Sequence, residues 1–568
     1  GGFLLFESVL VMVKELGVPV RGVVARLIVG RDENDAPCVY GVMGQESGHT
    51  LFVYQLKPDT GEMKQFNAPP NSATGGRPAL WSEKYKALFI VGSGGQLGHA
   101  HGPAMSCLLR FDPRKGEVEK VLDIDPAEVG QGYTVAEAPD GRLYIGHYHE
   151  PCSMSRYDPG TGQIEHFGCI DDIDCYALVS CGDDGTVAAE IKMAYPHVVA
   201  IDVHTGAHHR VGPTADTDRQ HGFVHLYKAA DGLLYINSHE GAFRVRGTEA
   251  HPVEAAPPAA PPDPTKLRAR LLDQGVSRRA EVTWPDGRVK VFELQWEGGG
   301  SSIYHCRPGP DGKVYGASAL PLHFFSYDPA TGDMVDHGNC STSGGQIYSM
   351  ASLEGKLYFC AYTHANLSEY DPAKPYQWNG DPKDATNNPR LLGRMDEIAY
   401  RPRDMVAGPA GKVWVTSICD YGMWGGTLSW YDPKARRFGG GHRHIIRDCN
   451  PQAIAHLAQP DLLAIGFSFY GGSATKPRAD RGGFALWDPH ADKGIWTSDL
   501  DVPIVGVMDM EDAGGDLAYA IAHPLPEDVL VAELWLIDMV NQRIVERRRM
   551  DDIIGWPLEV AFQRDDRY

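Results

Sequence analysis

Two pairs of histidines open the chemical reading of this chain. His99 and His101 lie in "SGGQLGHAHGP" (93–103), and His147 and His149 lie in "HYHEP" (147–151). On extended backbone, residues two apart point the same way, so each pair could chelate an ion, with Glu150, His197, His221 and His239 as further donors. No linear zinc signature accompanies them. A structural calcium or zinc ion therefore stands beside a catalytic one as an expectation. A serine nucleophile lacks its G-x-S-x-G elbow, and "SGGQLG" lacks the lysine and helix of a phosphate loop. Proton abstraction next to a carboxylate fits the available side chains best. Tyr and His can serve as base and acid, while Arg binds a carboxylate through two parallel hydrogen bonds.

The elements that must position these residues are written in two recurring patterns. One is a tight turn entering a strand: "APDGRLYIG" at 138, "AADGLLYIN" at 229, "GPDGKVYGA" at 309, "LEGKLYFCA" at 353 and "GPAGKVWVT" at 408. The other is a strand running into an Asp-Pro turn: "RFDPRKG" at 110, "RYDPGTG" at 156, "SYDPATG" at 326, "EYDPAKP" at 369, "WYDPKAR" at 430 and "LWDPHAD" at 486. Asp-Gly takes the positive φ of a hairpin, and Pro after Asp starts a turn while ending strand pairing. The patterns alternate with a period of about 45–55 residues, the signature of four-stranded propeller blades. Ten candidate units follow, with second strands near 38, 88, 142, 187, 234, 314, 357, 413, 462 and 517. The fold expected is an all-β propeller of roughly seven or more blades, as one ring or a ring with extra hairpins.

Residues 1–253 hold the first five units, 254–300 a Pro/Ala-rich insertion and a hairpin, "AEVTWPDGRVKVFEL", and 301–568 the remaining units, read together as one continuous body. The formal charge of −21 argues against nucleic acid as a partner, since phosphate binding needs a basic face. No apolar run approaches the roughly 18 residues of a membrane span. Eleven scattered cysteines read mostly as small buried hydrophobes. No leader pattern is visible at the start, and the compartment is not legible.

In a blade whose strands A to D run outward from the axis, the two turn types share one face. The opposite face takes the B–C loops and the starts of the innermost strands. The B–C loops include "HYHEP", "KMAYPH" (192–197), "NSHEG" (237–241), "AYTHAN" (361–366) and "CDYGMWGG" (419–426). Innermost strands begin near Arg77, Gln131, Tyr133, Tyr176, Gln220, His221, Gln346, Arg403 and Asp404. His147, Tyr148, His149 and Glu150 thus belong to a rim that neighbouring units continue. His101, His221, Gln131, Tyr133 and His239 are its expected substrate-binding residues, with Arg77 and Arg403 placed to meet a carboxylate.

These Tyr-Asp-Pro blades with a His/Tyr/Arg rim resemble the β-propeller polysaccharide lyases, the group of ulvan lyases and rhamnose–glucuronate lyases. In that group a His on one blade is followed on the next by a catalytic Tyr and then an Arg. The resemblance implies Tyr195 as base and acid, His149 as its partner or as carboxylate neutraliser, and Arg210 as clamp, with His147 and Tyr148 adjoining. An earlier His of the group would fall near Gln131 or Tyr133, where this chain has none. The function implied is β-elimination on a uronic-acid-containing glycan, with an acidic poly- or oligosaccharide as partner and no cofactor required. A secreted or periplasmic location would go with it. Two alternatives stay open. One is a metal-dependent propeller hydrolase or lactonase, or an enzyme like the virginiamycin-inactivating lyase. The other is a non-catalytic propeller binding glycans or proteins, with Tyr421, Trp424, Phe467, Phe469 and Tyr470 stacking on sugars or plugging the channel.

Overall fold

Runs of β-branched and aromatic residues alternate with turn residues along the chain, and the computed structural model shows them as sheets. It describes residues 24–43, 51–70, 78–94, 105–124, 131–148, 152–171, 176–192, 195–215, 223–272, 278–296, 303–319, 322–473, 475–525 and 532–550, with a few single positions between. These form ten four-stranded antiparallel sheets and one three-stranded sheet, each with its strands in sequential order. The protein is all-β, and its sheets are propeller blades.

Units one to five span 24–67, 79–124, 131–171, 176–211 and 224–253, and units six to ten span 303–338, 347–394, 399–443, 450–498 and 504–549. Their second strands begin at Pro37, Ala87, Leu143, Val187, Leu234, Val314, Lys356, Val413, Leu462 and Leu517, within one residue of the positions expected from the repeat. The Asp of each Asp-Pro turn explains its recurrence. In unit three Asp158 accepts the Gly160 N–H at 2.8 Å, and in unit eight Asp432 accepts those of Lys434 at 3.0 Å and Ala435 at 2.9 Å. A side chain that bonds its own backbone two residues on mimics the turn and stops the ladder.

The apolar cores lie between sheets, as blades require. Tyr144, Met154 and Ile170 of unit three pack on Ala177, Val187 and Val199 of unit four. Trp535, Phe484 and Val507 join units nine and ten. Burying a side chain of this size contributes about 2–3 kcal/mol. Gly146 shows how close the sheets come, because a Cβ there would lie 2.1 Å from the Ala177 carbonyl oxygen. First strands of successive units pack on one another within units one to five and again within units six to ten.

Between these two runs, the hairpin expected at 280–294 gains a third strand, Arg268–Leu271, and covers unit one. Trp296 packs on Phe52 and Tyr54, and Trp284 donates through Nε1 to Asp59 at 2.8 Å. The Pro/Ala-rich stretch before it runs along unit five, bridging Ala229 to Ala259. Of the ten described cysteines, eight are buried.

Candidate functional site

Inner-strand starts from several units meet at one cluster of tyrosines. Tyr133 of unit three lies 4.4 Å, ring to ring, from Tyr176 of unit four. The Tyr176 hydroxyl is 3.3 Å from that of Tyr421, in the B–C loop of unit eight, and the Tyr362 hydroxyl of unit seven is 3.4 Å from it. Tyr348 and Tyr400 pack edge-on against Tyr362, and Tyr304 of unit six packs against Tyr348. Arg401 crosses this group. It donates to the Tyr421 hydroxyl at 3.2 Å and to Ser473 Oγ of unit nine at 2.7 Å, and it lies over the rings of Tyr362 and Tyr421. Arg403, two residues along the same strand, lies over the Tyr348 ring at 5.4 Å.

Backbone bonds hold the loops that carry these groups. Gly422 donates to the Ser473 carbonyl at 2.8 Å and Gly472 to that of Met423 at 2.9 Å, so the loops of units eight and nine form a short clasp. A Cβ at Gly472 would come within 2.1 Å of the Asp420 carbonyl oxygen, which is why the approach needs glycine. Asp420 in turn pairs with Arg394 at 3.7 Å. Burial holds the hydroxyls of Tyr176, Tyr304 and Tyr421 above the usual phenol range, with Arg401 pulling the other way on each. These phenols are neutral donors.

Further along the same strand, Asp404 accepts the N–H groups of Met405 at 2.7 Å and of Ile454, in unit nine, at 2.8 Å. Burial pushes its carboxyl up to about 7 against those two bonds and the pull of Arg307, with Glu511 adding a smaller upward push.

The rim of units three to five is built differently from the expectation. His147 and Tyr148 end the strand Leu143–Tyr148, with Tyr148 paired to Gln131, rather than starting a loop. The His147 ring is wholly buried, and its Nε2 lies 2.8 Å from Ser155 Oγ, which lies 2.8 Å from His166 Nδ1. Tyr195 stands on the surface, 39% exposed. Its carbonyl accepts from His197 Nδ1 at 2.5 Å, and His197 Nε2 lies 2.8 Å from Asp171. Arg210, expected as a clamp in the funnel, donates to the same Asp171 at 3.1 Å from the outermost strand of unit four. A carboxylate already near holds it there. His239 bonds the Phe223 carbonyl at 3.1 Å.

Tyr133 and Arg403 are thus the substrate-binding candidates that come together with the tyrosine cluster. His149, Glu150, Arg77, His99, His101, Gln220 and His221 lie outside the described residues. Among the described residues no group of three His, Cys, Asp or Glu side chains could hold a metal ion. Of the loop aromatics, Tyr421 belongs to the cluster and Phe467 to the core of units eight and nine. Trp424 donates to the Lys476 carbonyl at 2.8 Å with Arg478 over its ring.

No protein-family model matches this chain, and no curated protein matches its sequence. Solved structures do. The chain is similar to the extracellular domain of BT4673 from B. thetaiotaomicron, with 10% identity and a TM-score of 0.31 over 94% of this chain and 78% of that one. It is similar to PorZ, a bacterial surface component of the type-IX secretion system of Porphyromonas gingivalis, with 12% identity and a TM-score of 0.28 over 94% and 82%. It is also similar to virginiamycin B lyase from Staphylococcus aureus, with 11% identity and a TM-score of 0.23 over 62% and 94%.

Proposed function

We propose that this protein is a carbon–oxygen lyase that cleaves an acidic glycan by β-elimination in the tyrosine-lined funnel. The observation that carries the reading is the meeting of three hydroxyls, Tyr176, Tyr362 and Tyr421, from three units beside Arg401. Elimination needs an acid that gives a proton to the departing oxygen and a base that takes the proton next to the carboxylate. Tyr421 suits the role of acid. It is neutral, and the guanidinium that donates to it steadies the charge left when its proton goes. The role of base falls to the rim of unit four, where Tyr195 stands on the face shared by the start of the strand that carries Tyr176, and to His149. The aromatic floor offers faces on which sugar rings stack.

The test is absorbance near 235 nm, where the unsaturated uronate left by elimination absorbs, on a panel of uronate-containing polysaccharides. A rise is expected that falls by about 10²-fold or more in Tyr421→Phe, and that Tyr195→Phe also lowers. A rise untouched by both variants would remove these residues from the chemistry. A second reading, a glycan-binding propeller without catalysis, draws on the same neutral phenols, which serve equally as hydrogen-bond donors. Polysaccharide binding with no rise on any substrate would favour it.

A further inference from the structure

Two cations in this funnel have no counter-charge among the described residues. Arg401 is only 6% exposed. Ser473 and Tyr421, both neutral, take hydrogen bonds from its two terminal nitrogens, while its Nε is buried without a partner. The Nε of Arg403 is likewise buried without one. Among the described residues neither guanidinium makes an ion pair, and the nearby acids are engaged elsewhere: Asp420 with Arg394, and Asp404 with two backbone N–H groups. The phenols around them supply ring faces but no negative charge, since burial keeps Tyr176, Tyr304 and Tyr421 protonated. A buried charge without a partner is costly, and this chain, with 74 acidic residues, does not want for carboxylates to place there. One acceptor nearby is also unmet. The side-chain amide oxygen of Gln346, whose backbone pairs with Tyr362, is buried with no donor.

We infer that Arg401 and Arg403 form a carboxylate-binding subsite, completed by the acid group of a uronic acid whose ring lies among the surrounding tyrosines. A β-bulge interrupts the strand between Pro402 and Asp404, yet Arg401 lies over the Tyr362 ring and Arg403 over the Tyr348 ring, and these two rings pack edge-on, so both guanidinium groups meet one aromatic cluster. Arg401 is held in place by Ser473 and Tyr421, which orients it before any ligand arrives, and a planar guanidinium fits a planar carboxylate through two parallel hydrogen bonds. A sugar hydroxyl would meet the amide oxygen of Gln346. The subsite rests on the proposed elimination only in naming the anion as a uronate.

Free glucuronate separates binding from elimination, because it has no glycosidic bond to break. Titration of the intact protein with glucuronate, glucose and inorganic sulfate, followed by calorimetry, should show glucuronate binding at least tenfold tighter than the other two. Arg403→Met, which removes no hydrogen bond to another side chain, should weaken glucuronate binding at least tenfold. It should leave the melting temperature of the free protein unchanged or raised. Arg401→Lys, which keeps the charge and loses the fork, should weaken binding as well. Equal binding of glucose and glucuronate, or glucuronate binding indifferent to Arg403→Met, would overturn the inference. Sulfate binding as tightly, with the same dependence on Arg403, would overturn the assignment to carboxylate. Arginine-dependent glucuronate binding without any 235 nm signal on polysaccharides would retire the lyase reading and leave the subsite standing. A 235 nm signal indifferent to Arg403→Met would do the reverse.

Discussion

Asp404 illustrates how much a single side chain in this funnel owes to its surroundings. Burial raises its carboxyl to about 7, outweighing two backbone N–H donors and Arg307. A carboxyl raised on folding binds its proton more tightly in the native than in the unfolded state. Its stabilisation is therefore full below the unfolded value of about 4 and is lost as the pH rises through about 7. Urea unfolding of the wild-type protein should show a component of stability, on the order of a few kcal/mol at most, that declines between about pH 4 and about pH 7. Asp404→Asn should flatten that component, and an unchanged slope in the variant would show that another group sets it. The same strand shows why part of the site escaped sequence reasoning. Arg403 and Asp404 stand out as inner-strand residues, whereas Arg401 does not, and bulges on either side of it break the alternation that would have linked it to them. Nothing in the sequence says that, among the described residues, no acid pairs with it. His147 is the opposite case, a residue whose type suggested chemistry and whose ring is packed inside its own blade against Ser155.

The blades were the most legible level. Asp-Gly and Asp-Pro turns act within a few residues, so their positions located second strands to within one residue of those observed. Strand ends were less clear. The His-Tyr-His run continues the ladder of unit three to Tyr148, because His and Tyr fit an extended strand as well as a loop. Packing between blades obeys contacts that no local pattern writes down, and Gly146 is a place to measure it. Gly146→Ala would drive a methyl group into the Ala177 carbonyl of the next blade, backbone that cannot swing aside. The variant should lose about 2 kcal/mol or more in chemical unfolding. A loss below about 0.5 kcal/mol would mean that units three and four are not packed as described.

Over the whole molecule, the contact of Tyr176 with Tyr421 joins residues 245 apart in sequence, one from each run of five blades. If it ties the two runs in solution, Tyr176→Phe and Tyr421→Phe should not act independently. A double-mutant cycle on unfolding free energy should return a coupling of about 1 kcal/mol, the worth of one buried hydrogen bond. Additive effects within about 0.3 kcal/mol would show that the hydroxyls do not meet. The three-stranded sheet is a second such tie, since Trp284 and Trp296 return from the middle of the chain to cover the first blade.

The sequence by itself determined the all-β architecture and the positions of ten candidate repeat units, because turns and strand alternation are short-range. It also placed Tyr133, Tyr176, Tyr362, Arg403 and Tyr421 on one face of those units. Only the tertiary structure decided which of them meet. It brought Arg401 and Arg403 among tyrosines from units six, seven and eight, with no ion pair to either among the described residues, and it turned Arg210 to Asp171. Burial and pairing depend on residues hundreds of positions away. A cation's partner, or its lack of one, exists only once the chain is folded.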